Sequence, residues 1–115
     1  MFYTFVQNNS GGDFDIDLTM GIGRYVIIEA NSHNEANRRA EEIGIYFDGV
    51  TQRKDCGCCG DRWYPLDEDE GEKEPLIFGK TIKERKKSKT LYSDDSITIH
   101  YKNGKIEFIN FKKNV

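Results

Sequence analysis

The feature that most constrains the fold is an apolar run followed at once by a helix start. Val26, Ile27 and Ile28 lie in the segment RYVIIEA, and three consecutive β-branched residues are typical of a strand buried on both faces. Ser32 and Glu35 then form a capping-box pair, in which each side chain satisfies a backbone N–H group at the helix start. The sequence therefore predicts a strand buried on both faces and, after it, one amphipathic helix over about residues 34–43.

The clearest strand pair is predicted near the C-terminal end. The segments SITIHY and KIEFINF flank Asn103 and Gly104, a dipeptide that favours tight hairpin turns. FYTFVQ has strand composition, and LIFG (76–79) is a shorter candidate. The sum is an α+β fold: a mainly antiparallel sheet of about five strands, one amphipathic helix on one face, and a C-terminal β-hairpin. Apolar residues on both faces of the last strand suggest that a partner chain covers one of them, which predicts a homo-oligomer.

The length and the net charge of the chain limit its domain organisation and the partners that we expect. The chain has 115 residues, which predicts a single domain over 1–115 with an acidic loop at 65–75 and a basic exposed segment at 80–90. The net charge of −3 provides no general attraction for DNA or RNA duplexes. No secretory signal and no long apolar run is visible, so we expect no membrane association and a cytoplasmic location.

All three cysteines lie in the loop DCGCCGDRW. Cys56, Cys58 and Cys59 are an alternative zinc site, but zinc ligands are usually spaced C-x₂₋₄-C. Cys56 and Cys59 also form a C-x-x-C pair, which Cys58 interrupts and which no thioredoxin-like pattern surrounds. The favoured interpretation is structural, with small residues making a tight loop under Trp63, so no cofactor is predicted.

Two loops carry the predicted ligand-binding residues. In DRWY, an arginine offers a planar fork of donors for phosphate, and the aromatic residues offer faces on which a base can stack. In NNSGG, a hydroxyl and exposed backbone N–H groups could form an anion-binding nest. The alternative is that Trp63 is a core anchor and that Asp61 pairs Arg62 or caps the turn. The predicted ligand-binding residues are Asn9, Ser10, Gly11, Gly12, Asp61, Arg62, Trp63 and Tyr64.

Catalysis finds little support in the sequence. His33 lies just inside the predicted helix and His100 in a hairpin strand, and no serine or cysteine is linked to either by spacing. We therefore expect a binding protein rather than an enzyme.

Four segments occur in a distinctive order: NNSGG, YVIIEA before a capped helix, AEEIGIYFDGV, and DCGCCGDRWY. Through these four segments, residues 2–64 resemble a family of small proteins from tailed bacteriophages. Residues 66–115 resemble no family that we can name. The resemblance implies a phage accessory protein acting in the cytoplasm of the infected bacterial host.

Some small phage proteins evade host defence as anti-CBASS or anti-Thoeris sponges, which sequester nucleotide signals. By analogy with them, the resemblance further suggests a nucleotide ligand. The protein would sequester a cyclic dinucleotide or related nucleotide immune signal without catalysis. The alternative function is a Cys-loop, zinc-stabilised interaction module that inhibits a host protein.

Overall fold

The computed structural model describes residues 1–87 and 95–111 of the chain. Within these ranges it contains six strands and two α-helices. The strands are β1 (Phe2–Val6), β2 (Tyr25–Glu29), β3 (Leu76–Ile77), β4 (Lys80–Thr81), β5 (Asp95–His100) and β6 (Ile106–Phe111). The helices are α1 (His33–Glu42) and α2 (Ile82–Lys87).

The main sheet has the strand order β1–β2–β5–β6. The β1–β2 and β5–β6 pairs are antiparallel, whereas β2 and β5 run parallel. The α+β class, the mainly antiparallel sheet and the C-terminal strand pair are thus confirmed. The main sheet has four strands rather than about five, because β3 pairs with β4 in a separate two-stranded sheet.

Strand β2 is buried on both faces, as its apolar run predicts. Val26 and Ile28 contribute to one core, and Tyr25 and Ile27 contribute to the other. The first core also contains Tyr3, Phe5, Ala36, Ala40 and Trp63. The second contains Ile77, Ile97 and Ile99. The alternation of side chains along a strand sends neighbouring residues to opposite faces, so a continuous apolar run can serve two cores.

Helix α1 covers the first core, and it begins and ends within one residue of its predicted bounds. The Ser32 hydroxyl accepts a hydrogen bond from the Glu35 N–H at 3.2 Å, which satisfies one of the free donors at the helix start. Ala36 and Ala40 face the sheet and are fully buried. Their small side chains let the helix lie close to β2.

The acidic and basic segments both have contacts with the rest of the fold. In the acidic loop, residues 68–70 form an exposed 3₁₀ turn, and Glu72 exchanges two backbone hydrogen bonds with Phe2 at 2.7 and 2.9 Å. In the basic segment, β4 and α2 occupy the first part, and Ile82 packs against the second core. Residues 88–90 of the predicted basic segment lie outside the described residues. Neither helix among the described residues is long and apolar enough to cross a membrane.

Candidate functional site

The structure brings the two predicted ligand-binding loops together. Asn8 donates from its side-chain amide to the carbonyl oxygens of Cys59 at 2.8 Å and Asp61 at 3.1 Å. The Ser10 hydroxyl donates to the Gly60 carbonyl at 3.0 Å and accepts from the Cys56 N–H at 3.1 Å. We call residues 8–12 and 55–64 the paired loops. Side chains of the first loop bind backbone groups of the second, so the two loops form one surface.

The largely buried side chain of Arg62 joins the paired loops by hydrogen bonds. Its guanidinium donates to the Gln7 side chain at 2.9 Å and to the carbonyl oxygens of Ser10 at 2.8 Å and Asp13 at 2.7 Å. Its Nε lies 3.7 Å from Oδ1 of Asp55, and the two side chains are 13% and 0% exposed. The fork of donors that was expected to bind a phosphate is therefore used within the protein.

The carboxylates of the second loop have structural partners. Asp55 accepts from the Arg62 N–H at 2.8 Å and from the Tyr46 hydroxyl at 2.7 Å. Burial, followed by this bond to Asp55, raises the pKa of Tyr46 above its ordinary value. Asp61 accepts from the Val50 N–H at 2.9 Å, which matches the alternative that it caps a turn. Arg62 pairs with Asp55 rather than with Asp61.

The two aromatic residues of DRWY have opposite environments. Trp63 is 2% exposed and belongs to the first core, which agrees with the alternative that it anchors the core. Its ring presents no face to a ligand in this conformation. Tyr64 is 52% exposed. Tyr64 is therefore the residue of this pair whose ring a ligand can reach.

The tip of the first loop exposes its backbone. Gly11 and Gly12 have φ angles of +79° and +91°, in the region that favours glycine. Apart from each glycine and its chain neighbours, no atom of the described residues lies within 4 Å of the position that a Cβ would occupy at either residue. Asn9 is exposed beside them and accepts the Gly12 N–H at 2.9 Å through its carbonyl oxygen. Ser10, in contrast, is buried, and its hydroxyl joins the two loops.

Cys56, Cys58 and Cys59 are exposed free thiols. The N–H of Cys58, and then the Cys59 thiol, lower the pKa of the Cys56 thiol by stabilising its thiolate. Among the described residues, one group of three possible ligand residues has its ligand atoms within 4.8 Å of one another, and it is the exposed acidic set Asp67, Asp69 and Glu70. The three cysteine sulfurs do not converge in this way, so the loop does not form a ready three-thiolate zinc site.

A concave feature lies away from the paired loops. A cavity of about 370 Å³ lies on the face of the sheet opposite Trp63. It is lined by Glu74, Pro75, Thr81, Ile82, Lys83, Ile99, Tyr101, Glu107 and Ile109. The hydrogen bond from the Tyr101 hydroxyl to Glu107, 2.7 Å long, is the main reason that the pKa of Tyr101 rises to about 12. The lining residues come from four separate segments, so no local pattern could have predicted the cavity.

The two histidines do not meet at a site. His33 is the first residue of α1 and is half-buried. His100 is buried, its Nε2 lies 2.7 Å from the Gly21 carbonyl oxygen, and burial lowers the pKa of its imidazole. A neutral ring that donates to Gly21 fits this position, which makes His100 part of the packing.

Comparison with known proteins identifies a family. No curated protein and no solved structure matches the chain. The family described as "Domain of unknown function (DUF7296)" matches residues 1–115. This family match includes residues 66–115, to which the resemblance to phage proteins does not extend. The chain belongs to this family of domains.

Proposed function

We propose that this chain is a non-catalytic binding protein whose ligand-binding surface is the exposed side of the paired loops. The observation that carries the proposal is the mutual anchoring of the loops through Asn8, Ser10 and Arg62. Because these contacts hold the loops in place before a ligand arrives, binding would cost little conformational entropy. A surface prepared in this way is what tight capture of a small molecule requires.

The proposed ligand is a cyclic dinucleotide or a related nucleotide signal. Tyr64 offers an exposed ring for stacking on a base. The open space around Gly11 and Gly12 allows a phosphate to approach the backbone of the loop tip. Lys54, which is exposed and directly precedes the second loop, supplies positive charge. In this proposal Arg62 and Ser10 position the loops, and Trp63 supports them from the core.

The proposed mode of action is stoichiometric capture. A homo-oligomer in the cytoplasm of an infected bacterium would bind and retain the immune signal without altering it, and so block anti-phage defence. This part of the proposal rests on the resemblance of residues 2–64 to phage proteins and on the analogy with nucleotide sponges.

Thermal unfolding against a panel of cyclic dinucleotides tests the proposal. A ligand present at 100 times its Kd stabilises the folded state by about 2.7 kcal/mol, so at least one nucleotide should raise Tm clearly. Nucleotide recovered after heat denaturation should be intact.

Tyr64→Ala is the informative variant, because loss of a stacked aromatic ring costs about 1–3 kcal/mol of binding free energy. Phe78→Ala is the matched control, since Phe78 is also exposed but lies in the turn between β3 and β4. We expect Tyr64→Ala to weaken binding and Phe78→Ala to leave it unchanged. Absence of stabilisation by every nucleotide, or recovery of cleaved nucleotide alone, would contradict the proposal.

A further inference from the structure

The paired loops anchor two of the three cysteines by their backbone. The N–H of Cys56 donates to the Ser10 hydroxyl at 3.1 Å, and the carbonyl oxygen of Cys59 accepts from the Asn8 amide at 2.8 Å. Asn8 and Ser10 both belong to the first loop, so this one loop holds the backbone of both cysteines. Cys56 and Cys59 are also the first and last residues of the C-x-x-C pair in the sequence.

The backbone between these two cysteines is a tight turn. The N–H groups of Cys59 and Gly60 both donate to the Cys56 carbonyl oxygen at 3.2 Å. A turn of this kind brings the Cα atoms of its first and fourth residues within about 7 Å of each other. Disulfides span Cα separations of about 4.4–6.8 Å, so the turn places Cys56 and Cys59 at a distance suited to a bond. Two other pairs compete with this one. Adjacent residues such as Cys58 and Cys59 usually direct their side chains apart, which disfavours that pair, and the variants below distinguish the remaining competitor, Cys56 with Cys58.

The thiols are also reactive by position. Free cysteine is usually among the most buried residues, whereas here all three thiols are exposed. The N–H of Cys58 and the thiol of Cys59 favour the thiolate of Cys56, which is the nucleophilic form. Cys56 is therefore the thiol that would attack first, and Cys59 is the neighbour that would complete the reaction.

We propose that Cys56 and Cys59 form a reversible dithiol–disulfide pair that exchanges with low-molecular-weight disulfides. The Cys56 thiolate attacks one sulfur of the small disulfide, forms a mixed disulfide and expels one small thiolate. Cys59 loses its proton to water and attacks the Cys56 sulfur, which expels the second small thiolate. Two protein thiols are oxidised and one small disulfide is reduced to two thiols, with two electrons and two protons transferred. This site does not depend on the nucleotide ligand proposed above.

The full chain offers three matched variants for the test. Cys58→Ser keeps the proposed pair, whereas Cys56→Ser and Cys59→Ser each keep a different pair of cysteines. Each protein is equilibrated in mixtures of reduced and oxidised glutathione that contain a metal chelator, alkylated, and digested with trypsin. Cleavage after Lys54 and Arg62 places all three cysteines in one peptide, whose mass reports a disulfide as the loss of two hydrogen atoms.

The wild type and Cys58→Ser should form one intramolecular disulfide with the same dependence on the glutathione ratio. Cys56→Ser and Cys59→Ser should lose it, although all variants should melt like the wild type because the thiols are exposed. The proposal is overturned if Cys58→Ser stays reduced or forms only glutathione adducts. It is equally overturned if Cys56→Ser or Cys59→Ser forms an intramolecular disulfide as readily as Cys58→Ser.

Discussion

At the scale of single residues, Arg62 is the most informative position. Its guanidinium has the donor geometry that recognises phosphate, and the same geometry suits backbone carbonyls and a carboxylate. Here the donors bind Gln7, Ser10 and Asp13, and the charge is balanced by the fully buried Asp55. Arg62 is a multiple hydrogen-bond donor, as its residue type predicts, but its partners are part of the protein.

Arg62→Ala should therefore destabilise the fold. The substitution leaves Asp55 buried without its cation, and breaking a buried ion pair in this way costs about 3 kcal/mol or more. Urea denaturation followed by circular dichroism measures the change. Arg38→Ala is the matched control, because the ion pair of Arg38 with Glu42 is exposed and should contribute little. Equal stability of the two variants would show that Arg62 does not hold the loops together.

At the scale of elements, the turn at residues 17–22 is attached to strand β5 at one glycine. The Gly21 carbonyl oxygen accepts from the Thr98 hydroxyl at 2.7 Å and lies 2.7 Å from Nε2 of His100. Thr98 and His100 are buried polar side chains, so the turn supplies the partner that they need inside the protein. Gly21 has a φ of +73° and no room for a side chain.

Gly21→Ala should destabilise the protein more than Gly104→Ala. Both glycines have positive φ, which costs a non-glycine residue about 1 kcal/mol or more. At Gly21 a Cβ would also lie 2.5 Å from Cε1 of His100, whereas at Gly104, among the residues that the structure describes, it would meet no atom within 4 Å beyond its chain neighbours. The clash should add about 1–3 kcal/mol, measured as the difference in the free energy of unfolding between the two variants. Indistinguishable variants would contradict a close fit between this turn and β5.

At the scale of the whole molecule, the main sheet leaves an apolar surface on its last strand. Phe108 is 53% exposed and Ile106 is also exposed, while Ile109, on the opposite face of β6, packs against the second core. Phe108 and Ile106 pair with Thr98 and His100 of β5, so they lie on the same face of the sheet as the turn at Gly21. The predicted homo-oligomer would cover this apolar surface.

We expect the chain to self-associate through this face and expect Phe108→Glu to shift it to a monomer. A charge placed in an apolar interface loses its hydration without gaining a partner, which opposes association. Sedimentation velocity over a range of protein concentrations measures the shift. Phe78→Glu is the control for a new charge at another exposed phenylalanine. A wild type that stays monomeric at every concentration would contradict the expectation.

Much of the fold follows from local sequence signals. The apolar run of β2, the capping box of α1 and the Asn-Gly turn before β6 each act over a few residues, and each element forms where it was predicted. LIFG also forms a strand, β3, but outside the main sheet, because its composition identifies a strand and does not identify the strand's partner. Its partner is β4 rather than a strand of the main sheet.

The candidate site, like the fold, could be predicted from the sequence only in part. Residue type is local information, so the amino-acid sequence is enough to identify two unusual loops that carry the polar, aromatic and thiol groups. Long-range packing determines that the loops meet, that Arg62 binds Gln7 across 55 residues of chain, and that Trp63 is buried while Tyr64 is exposed. The physical reason is that a donor or a ring has the same chemistry whichever way it points. Its direction is set by packing against residues that are distant in the sequence.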